Sequence, residues 1–374
     1  MRETSLLEGI AGSRRSFLRQ AARWSALLST YPLTSLPALA ESLVGDSRVA
    51  DTPIVDKGFA SVRKVGDGLY ATISDTSKGL QTMCNGGLLV GKDSALLVEG
   101  FVSPAGAAFQ YETLRSISKG PIMGALDTHY HYDHSSGNSF YGANGIPVWA
   151  HASTAKRIIA SYTSLQGQDK AAVIGPLEAR AQNAKTELAR KHAAEYAATV
   201  GNIFNMVNSS VLALPNRPLD PAKLPLNLDL GGLTAVVEAH PGHSGTDLIV
   251  RVPAQNVVYA GDLLFQNMYP VAFDDQATVS GWRSTLKAFL SYDQDTVFIP
   301  GHGQICGRQG VQLSADLFDD IAAQAEKLFK SGVPVEDAKD QYVVPERYKG
   351  VAIFAWDFSI GPTISKLYKE WRAN

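Results

Sequence analysis

One seven-residue segment, Thr128-His129-Tyr130-His131-Tyr132-Asp133-His134, constrains this chain more than any other feature. It gathers three of the eight histidines in 374 residues and sets an aspartate among them. Imidazole and carboxylate together are the donors that a borderline divalent metal such as zinc prefers. In an extended stretch side chains alternate with period two, so His129 and His131 share one side. A turn after Tyr132 then brings Asp133 and His134 round toward a second, adjacent position. The spacing suits two cations rather than one. A polar loop of solvated histidines is the competing reading, and the density of the cluster argues against it.

The placement of the segment matters as much as its content. It follows the apolar run 122–126, which reads as a strand, so the cluster sits on a loop at a strand end. A rigid sheet commonly presents functional side chains in this way. Three further polar sites also follow strand-like runs: His240-Pro241-Gly242-His243-Ser244-Gly245-Thr246-Asp247 in the second half of the chain, Gly261-Asp262 directly after 257–260, and Pro300-Gly301-His302-Gly303 directly after 297–299. Their glycines allow sharp turns and close backbone approach.

The rest of the chain supports a mixed α/β architecture. Short β-rich runs at 62–65, 68–73, 87–90 and 95–98 are separated by Gly, Asp and Ser in a hairpin-like pattern. A helix over 105–118, the strand 122–126, a strand over 147–150 and a helix over 154–162 complete one β/α half. The stretch near 175–208 is rich in Ala, Glu, Lys and Arg and predicts a helix or helix pair inserted between halves. Its expected role is packing, with a substrate-covering lid or a dimer contact as alternatives. Strands at 233–237, 248–252, 257–260 and 296–299 follow, with helices over 282–291, 315–330 and 363–372. Two β-rich halves, each accompanied by helices, predict a four-layer αββα sandwich over residues 59–374, preceded by a linker over 41–58.

Taken in order, His-x-His-x-Asp-His, a Pro-Gly-His-Ser loop, a Gly-Asp and a late Pro-Gly-His-Gly resemble the metallo-β-lactamase superfamily. The resemblance is colinear from roughly residue 62 to residue 303. It implies that His129, His131 and His243 bind a first metal and that Asp133, His134 and His302 bind a second, with Asp262 bridging them. The implied cofactor is zinc, two ions per chain. A metal-bridging hydroxide would attack a carbonyl-type centre, since two cations bring the pKa of a shared water toward neutrality. Asp133 would also orient that nucleophile.

The same resemblance narrows the substrate class without fixing it, because one fold hosts many reactions. Zinc β-lactamases generally carry cysteine or serine where Asp262 stands. A bridging aspartate is more similar to the hydrolase branches that open lactones, thioesters or phosphoesters, and the expected substrate is a lactone, ester, thioester or amide of a small molecule. A true metallo-β-lactamase and a non-catalytic exported metal-binding accessory protein are the alternatives. A glutathione-dependent thioesterase is disfavoured by the absence of a basic cluster after Gly303. Formal net charge is −2 with no long basic run, so nucleic acid is not an expected partner.

The first forty residues are set aside from the fold. Ser13-Arg14-Arg15-Ser16-Phe17-Leu18-Arg19 precedes a moderately apolar run and then Ala38-Leu39-Ala40, a small-residue cleavage site. Paired arginines before a weakly apolar segment resemble a bacterial twin-arginine signal, which predicts the twin-arginine export machinery as a partner and a periplasmic location. No apolar stretch reaches the ~20 residues of a membrane span, so no stable anchor is expected after cleavage. The two cysteines, Cys84 and Cys306, have no zinc-thiolate spacing and are expected to be structural, paired or not. His240 is open between supporting a metal ligand and a structural or solvated role. His151 reads as structural and His192 as a surface residue. Asn85, Asn267 and Tyr269 are candidate hydrogen-bond donors to a developing oxyanion, each equally explicable by turn or packing chemistry.

Overall fold

The computed structural model describes residues 47–373. The signal expected over 1–40 and the first part of the expected linker lie outside the described residues. The remainder of that linker already joins the sheet, because β1 (Val55–Asp56) pairs antiparallel with β2 (Ala60–Gly66).

Two sheets form the centre of the fold. The first continues through β3 (Leu69–Ser74), β4 (Gly86–Val90), β5 (Ala95–Val98), β6 (Ile122–Leu126), β7 (Val148–His151) and β8 (Arg217–Leu219), in chain order across the sheet. It is antiparallel up to β5 and parallel from β5 to β8. The change is forced by the helices that connect the later strands, since parallel neighbours need a long crossover. The second sheet holds β9 (Leu226–Asp229), β10 (Thr234–Ala239), β11 (Leu248–Val252), β12 (Val257–Phe265) and β13 (Val297–His302), again in order, with only β12 and β13 parallel.

Helices cover both outer faces. On the first sheet, α1 (Pro104–Ile117) begins where Ser103 accepts a hydrogen bond from the Gly106 N–H at 3.3 Å, with Pro104 in the first turn. Its Phe109 and Leu114 pack on Leu88, Leu97 and Val148. Two short helices, α2 (Tyr132–Ser135) and α3 (Asn138–Ala143), and then α4 (Thr154–Thr163) follow β6 and β7. On the second sheet, α7 (Val279–Phe289), α8 (Arg308–Lys330) and α10 (Ile360–Ala373) bury Trp282, Leu286, Phe318 and Ile364 against Val258 and Phe298. Between the sheets, Leu69, Leu96, Val98 and Leu126 meet Val250, Val252, Tyr259 and Val297. Each fully buried side chain of this size stabilises the fold by roughly 1.5–3 kcal/mol, so the layered apolar contacts carry most of the stability. The layers are helix, sheet, sheet, helix, as the sequence pattern predicts.

The expected insertion is a helix pair, α5 (Lys170–Gln182) and α6 (Glu187–Ser209). It is fastened to the segment just before α10. Arg180 pairs with Asp357 at 2.9 Å, and Tyr196 packs on Phe358 with ring centroids 5.1 Å apart. His192 corrects the surface reading: it is buried, lies flat on Trp356 at 4.3 Å and bonds Asp340 at 2.8 Å. A short helix, α9 (Val335–Ala338), completes this end of the fold.

Two strands run further than their apolar pattern suggests. β12 continues through Gly261 and Asp262 to Phe265, and β13 continues through Pro300 and Gly301 to His302. Pairing runs from Tyr259↔Ile299 through Gly261↔Pro300 to Phe265↔His302, with a register shift in each interval. Those shifts let polar residues sit within paired strands at the sheet end. They are local bulges that re-aim side chains, a device common beside functional sites.

Candidate metal centre

The four polar sites converge at one end of the sandwich. The loop after β6 winds into α2, whose N-terminal boundary is His131, so Asp133 and His134 come from a helical turn. The expected turn after Tyr132 is this turn of helix. The loop is tied to the second sheet by the Leu248 N–H, which donates to the Thr128 carbonyl at 2.8 Å. His243 follows β10, while Asp262 and His302 lie in β12 and β13. Two glycines make the approach possible. Gly261 has φ +52°, and a Cβ there would lie 2.5 Å from Thr128 Oγ1. At Gly301 a Cβ would fall 1.9 Å from Asp262 Oδ1.

Donor atoms of His129, His131, His243 and Asp262 lie within 4.8 Å of one another, and those of Asp133, His134 and His302 form a second such group. His131 Nδ1 is 3.0 Å from His129 Nε2 and 2.8 Å from His243 Nε2. Nitrogens bound at ~2.0–2.1 Å to a tetrahedral ion would sit roughly 3.3 Å apart, so the spacing is a few tenths of an ångström tighter than a filled site. Asp262 faces both groups with different oxygens. Oδ2 is 3.4 Å from His243 Nε2, and Oδ1 is 3.2 Å from His134 Nε2 and 3.4 Å from His302 Nε2. Asp133 Oδ2 is 3.1 Å from His302 Nε2.

The donor chemistry fits a cation. His134 Nε2 and Asp262 Oδ1 are buried without a hydrogen-bond partner, a condition that costs free energy unless something binds there. Burial, reinforced by the neighbouring imidazoles, pushes His129 well below the usual histidine range. Burial likewise brings His243 down to about 3, against the pull of Asp262. At His302 burial also opposes the charge, but the Asp262 and Asp133 carboxylates outweigh it and raise the ring to about 9.

Outer partners orient these rings, and the sequence did not reveal them. His243 Nδ1 lies 2.9 Å from the Val271 carbonyl. Buried Glu99 accepts from Thr128 Oγ1 at 2.6 Å, and Thr128 Oγ1 lies 3.2 Å from His129 Nδ1. The same Glu99 oxygen is 3.1 Å from His134 Nδ1. Asp274 touches His131 from the far side. An acidic residue directly after the buried run 95–98 was the available signal for Glu99; Asp274 had no comparable local signal.

Other candidates fall outside the cluster. His240 pairs with Glu238 at 3.2 Å and packs near Phe289. His151 accepts from the Ser153 N–H at 3.1 Å. Asn85 does not face the centre as a donor: its amide donates to the carbonyls of Pro300 and Gly303 at 2.9 and 2.8 Å, bracing the loop that carries His302. Tyr269 bonds Tyr342, and the Asn267 carbonyl accepts from the Ala352 N–H. Cys84 and Cys306 are both buried and free, and the Cys84 thiol donates to the Asp133 carbonyl at 3.0 Å.

Part of the chain is similar to known proteins. A profile of the metallo-beta-lactamase superfamily matches residues 80–302. Uncharacterized proteins of Mycobacterium bovis and Mycobacterium tuberculosis are 33% identical over 84 residues, a match that takes in 20% of this chain and only 37% of each relative's length. Among solved structures, a metallo-beta-lactamase from Pontibacter korlensis is 16% identical with a TM-score of 0.48, covering 69% of this chain and 98% of that one. The metallo-beta-lactamase DIM-1 is 15% identical with a TM-score of 0.46, covering 69% and 96%. With more than half of its length matched by the superfamily profile and a buried histidine–aspartate cluster able to hold a metal ion, the chain belongs to the metallo-β-lactamase superfamily, whose members are generally metal-dependent hydrolases.

Proposed function

We propose that this protein is an exported zinc hydrolase that opens a lactone, ester, thioester or amide of a small molecule. The observation that carries the reading is the Asp262 carboxylate, which turns one oxygen to each donor group and leaves Oδ1 buried without a hydrogen bond, facing the His134 and His302 rings. An aspartate so placed would be shared by two ions, His129, His131 and His243 holding one and Asp133, His134 and His302 the other. Zinc bound there supplies Lewis acidity, making water nucleophilic at neutral pH and polarising a carbonyl oxygen.

The chain's own groups do the rest. Burial disfavours charge on Asp133, but His134 and His302 overcome this and hold its carboxyl at about 2, so it remains an acceptor that orients water for attack. Phe273 lies against His131, ring centroids 4.9 Å apart, and remains 40% exposed. It offers an apolar face on which an acyl group can rest beside the reacting carbonyl. The paired arginines Arg14 and Arg15 support export to the periplasm, testable by cell fractionation of the full chain and of a variant with both replaced by lysine.

The test is metal content measured beside turnover of aryl esters, lactones, thioesters and a chromogenic cephalosporin. Two zinc ions per chain and chelator-sensitive hydrolysis of the acyl substrates are expected. Preference for the cephalosporin would make the protein a true β-lactamase. Bound metal without turnover on any class would make it an accessory protein.

A further inference from the structure

We propose that Asp274 is the positioning residue of the first donor group, and that the chain beyond the superfamily match helps hold it there. The inference rests on the metal-binding reading above. His131 offers Nδ1 to His129 and His243, and its opposite nitrogen, Nε2, is 3.2 Å from Asp274 Oδ2. For Nδ1 to present a lone pair to a cation, the ring proton must reside on Nε2. A carboxylate accepting from Nε2–H fixes that tautomer and the ring plane together.

Asp274 is built for the task rather than met by chance. It is buried, and three elements converge on it. From the histidine loop, the Tyr130 hydroxyl donates to Oδ2, the same oxygen that faces His131. From α4, Arg157 donates to both oxygens, at 3.1 and 3.0 Å, and to Tyr130 at 2.9 Å. From α10, Lys366 Nζ donates to the Asp274 backbone carbonyl at 2.5 Å. The Gln276 N–H closes the turn by donating to Oδ1 at 2.7 Å. Lys366 lies well past residue 302, where the superfamily match ends. The C-terminal helix thus reaches the centre through one backbone carbonyl and one carboxylate.

The deciding measurement is zinc affinity of the full chain by chelator competition, with the visible spectrum of the cobalt-loaded protein alongside. Asp274→Asn keeps the volume and removes the charge. It is expected to weaken zinc binding ten- to hundredfold and to shift the cobalt ligand-field bands, since outer partners of metal-bound histidines typically contribute that much. Unchanged affinity and spectrum in a folded Asp274→Asn protein would overturn the inference. Should that variant fail to fold, Arg157→Met decides, with a loss of roughly three- to tenfold expected on the same grounds and wild-type affinity overturning the inference. Wild-type protein that holds no divalent cation would overturn the metal reading itself, and the inference with it.

Discussion

The two donor groups of the centre are built on opposite principles. His129 and His243 are sealed from solvent, and burial holds them neutral, ready to offer a lone pair. His302 keeps 20% of its side chain exposed and is held as a cation by Asp133 and Asp262 when no metal is present. The first group is preorganised to accept a cation without first losing a proton. The second must shed one, so its occupancy depends on pH. On the proposed reading the sealed group would fix a cation, while the open one would face the solvent through which substrate arrives.

Substitutions can break this contrast. His243→Ala is expected to remove the first cation and take turnover below detection, whereas His302→Ala should retain one cation and lose roughly 10²-fold in rate, the size of one electrostatic stabiliser. Equal metal loss in both variants would show the groups to be equivalent. Asp262→Ser should weaken the coupling between the groups, read as loss of the second cation on dialysis together with a fall in rate. Retention of both cations at full rate would remove Asp262 from its bridging role.

A pH series on metal-free protein sharpens the same comparison. His302, raised to about 9, contributes stability that is complete below its unfolded value near ~6.5 and lost as pH climbs through 9. His243, lowered to about 3, acts oppositely: the unfolded chain takes up a proton that the folded chain refuses, so stability falls as pH drops from ~6.5 toward 3. Thermal midpoints of the metal-free protein should peak near neutrality and decline on both sides. Zinc should abolish the alkaline decline; a profile that only rises with pH would contradict the His302 assignment, and one that only falls would contradict the His243 assignment. The smallest effect belongs to Phe273→Ala, expected to raise KM for aryl esters about fivefold with kcat unchanged, the value of one aromatic contact. No change in KM would separate Phe273 from substrate binding.

Much of the centre was legible because its donors are rare residue types crowded at strand ends. His129, His131 and Asp133-His134 declare themselves by spacing, and His243, Asp262 and His302 by their glycine-flanked turns. The residues that orient those donors were not legible. Glu99 is marked only by its place after a buried strand and Asp274 by nothing local, and only the folded chain brings either to the rings. The sheet boundaries failed for a related reason. Pattern reading stops at a polar residue, yet β12 carries Asp262 inside a paired strand. β8 and β9 escaped notice because proline, asparagine and aspartate occupy three- and four-residue strands. His192 was misplaced because an amphipathic helix reveals an apolar face without revealing what covers it.

One consequence of the convergence reaches past chemistry. His129, His131, Asp133 and His134 hang from the first sheet, while His243, Asp262 and His302 belong to the second. Any ion seated among them rivets the two layers together at the rim where the sandwich is open. Ligand linkage then adds about 4.1 kcal/mol to the folded state when free zinc exceeds its dissociation constant a thousandfold. Starving the protein of metal should unfasten that rim before the apolar interior yields, visible as hydrogen exchange accelerating first in the loops that follow β6 and β10.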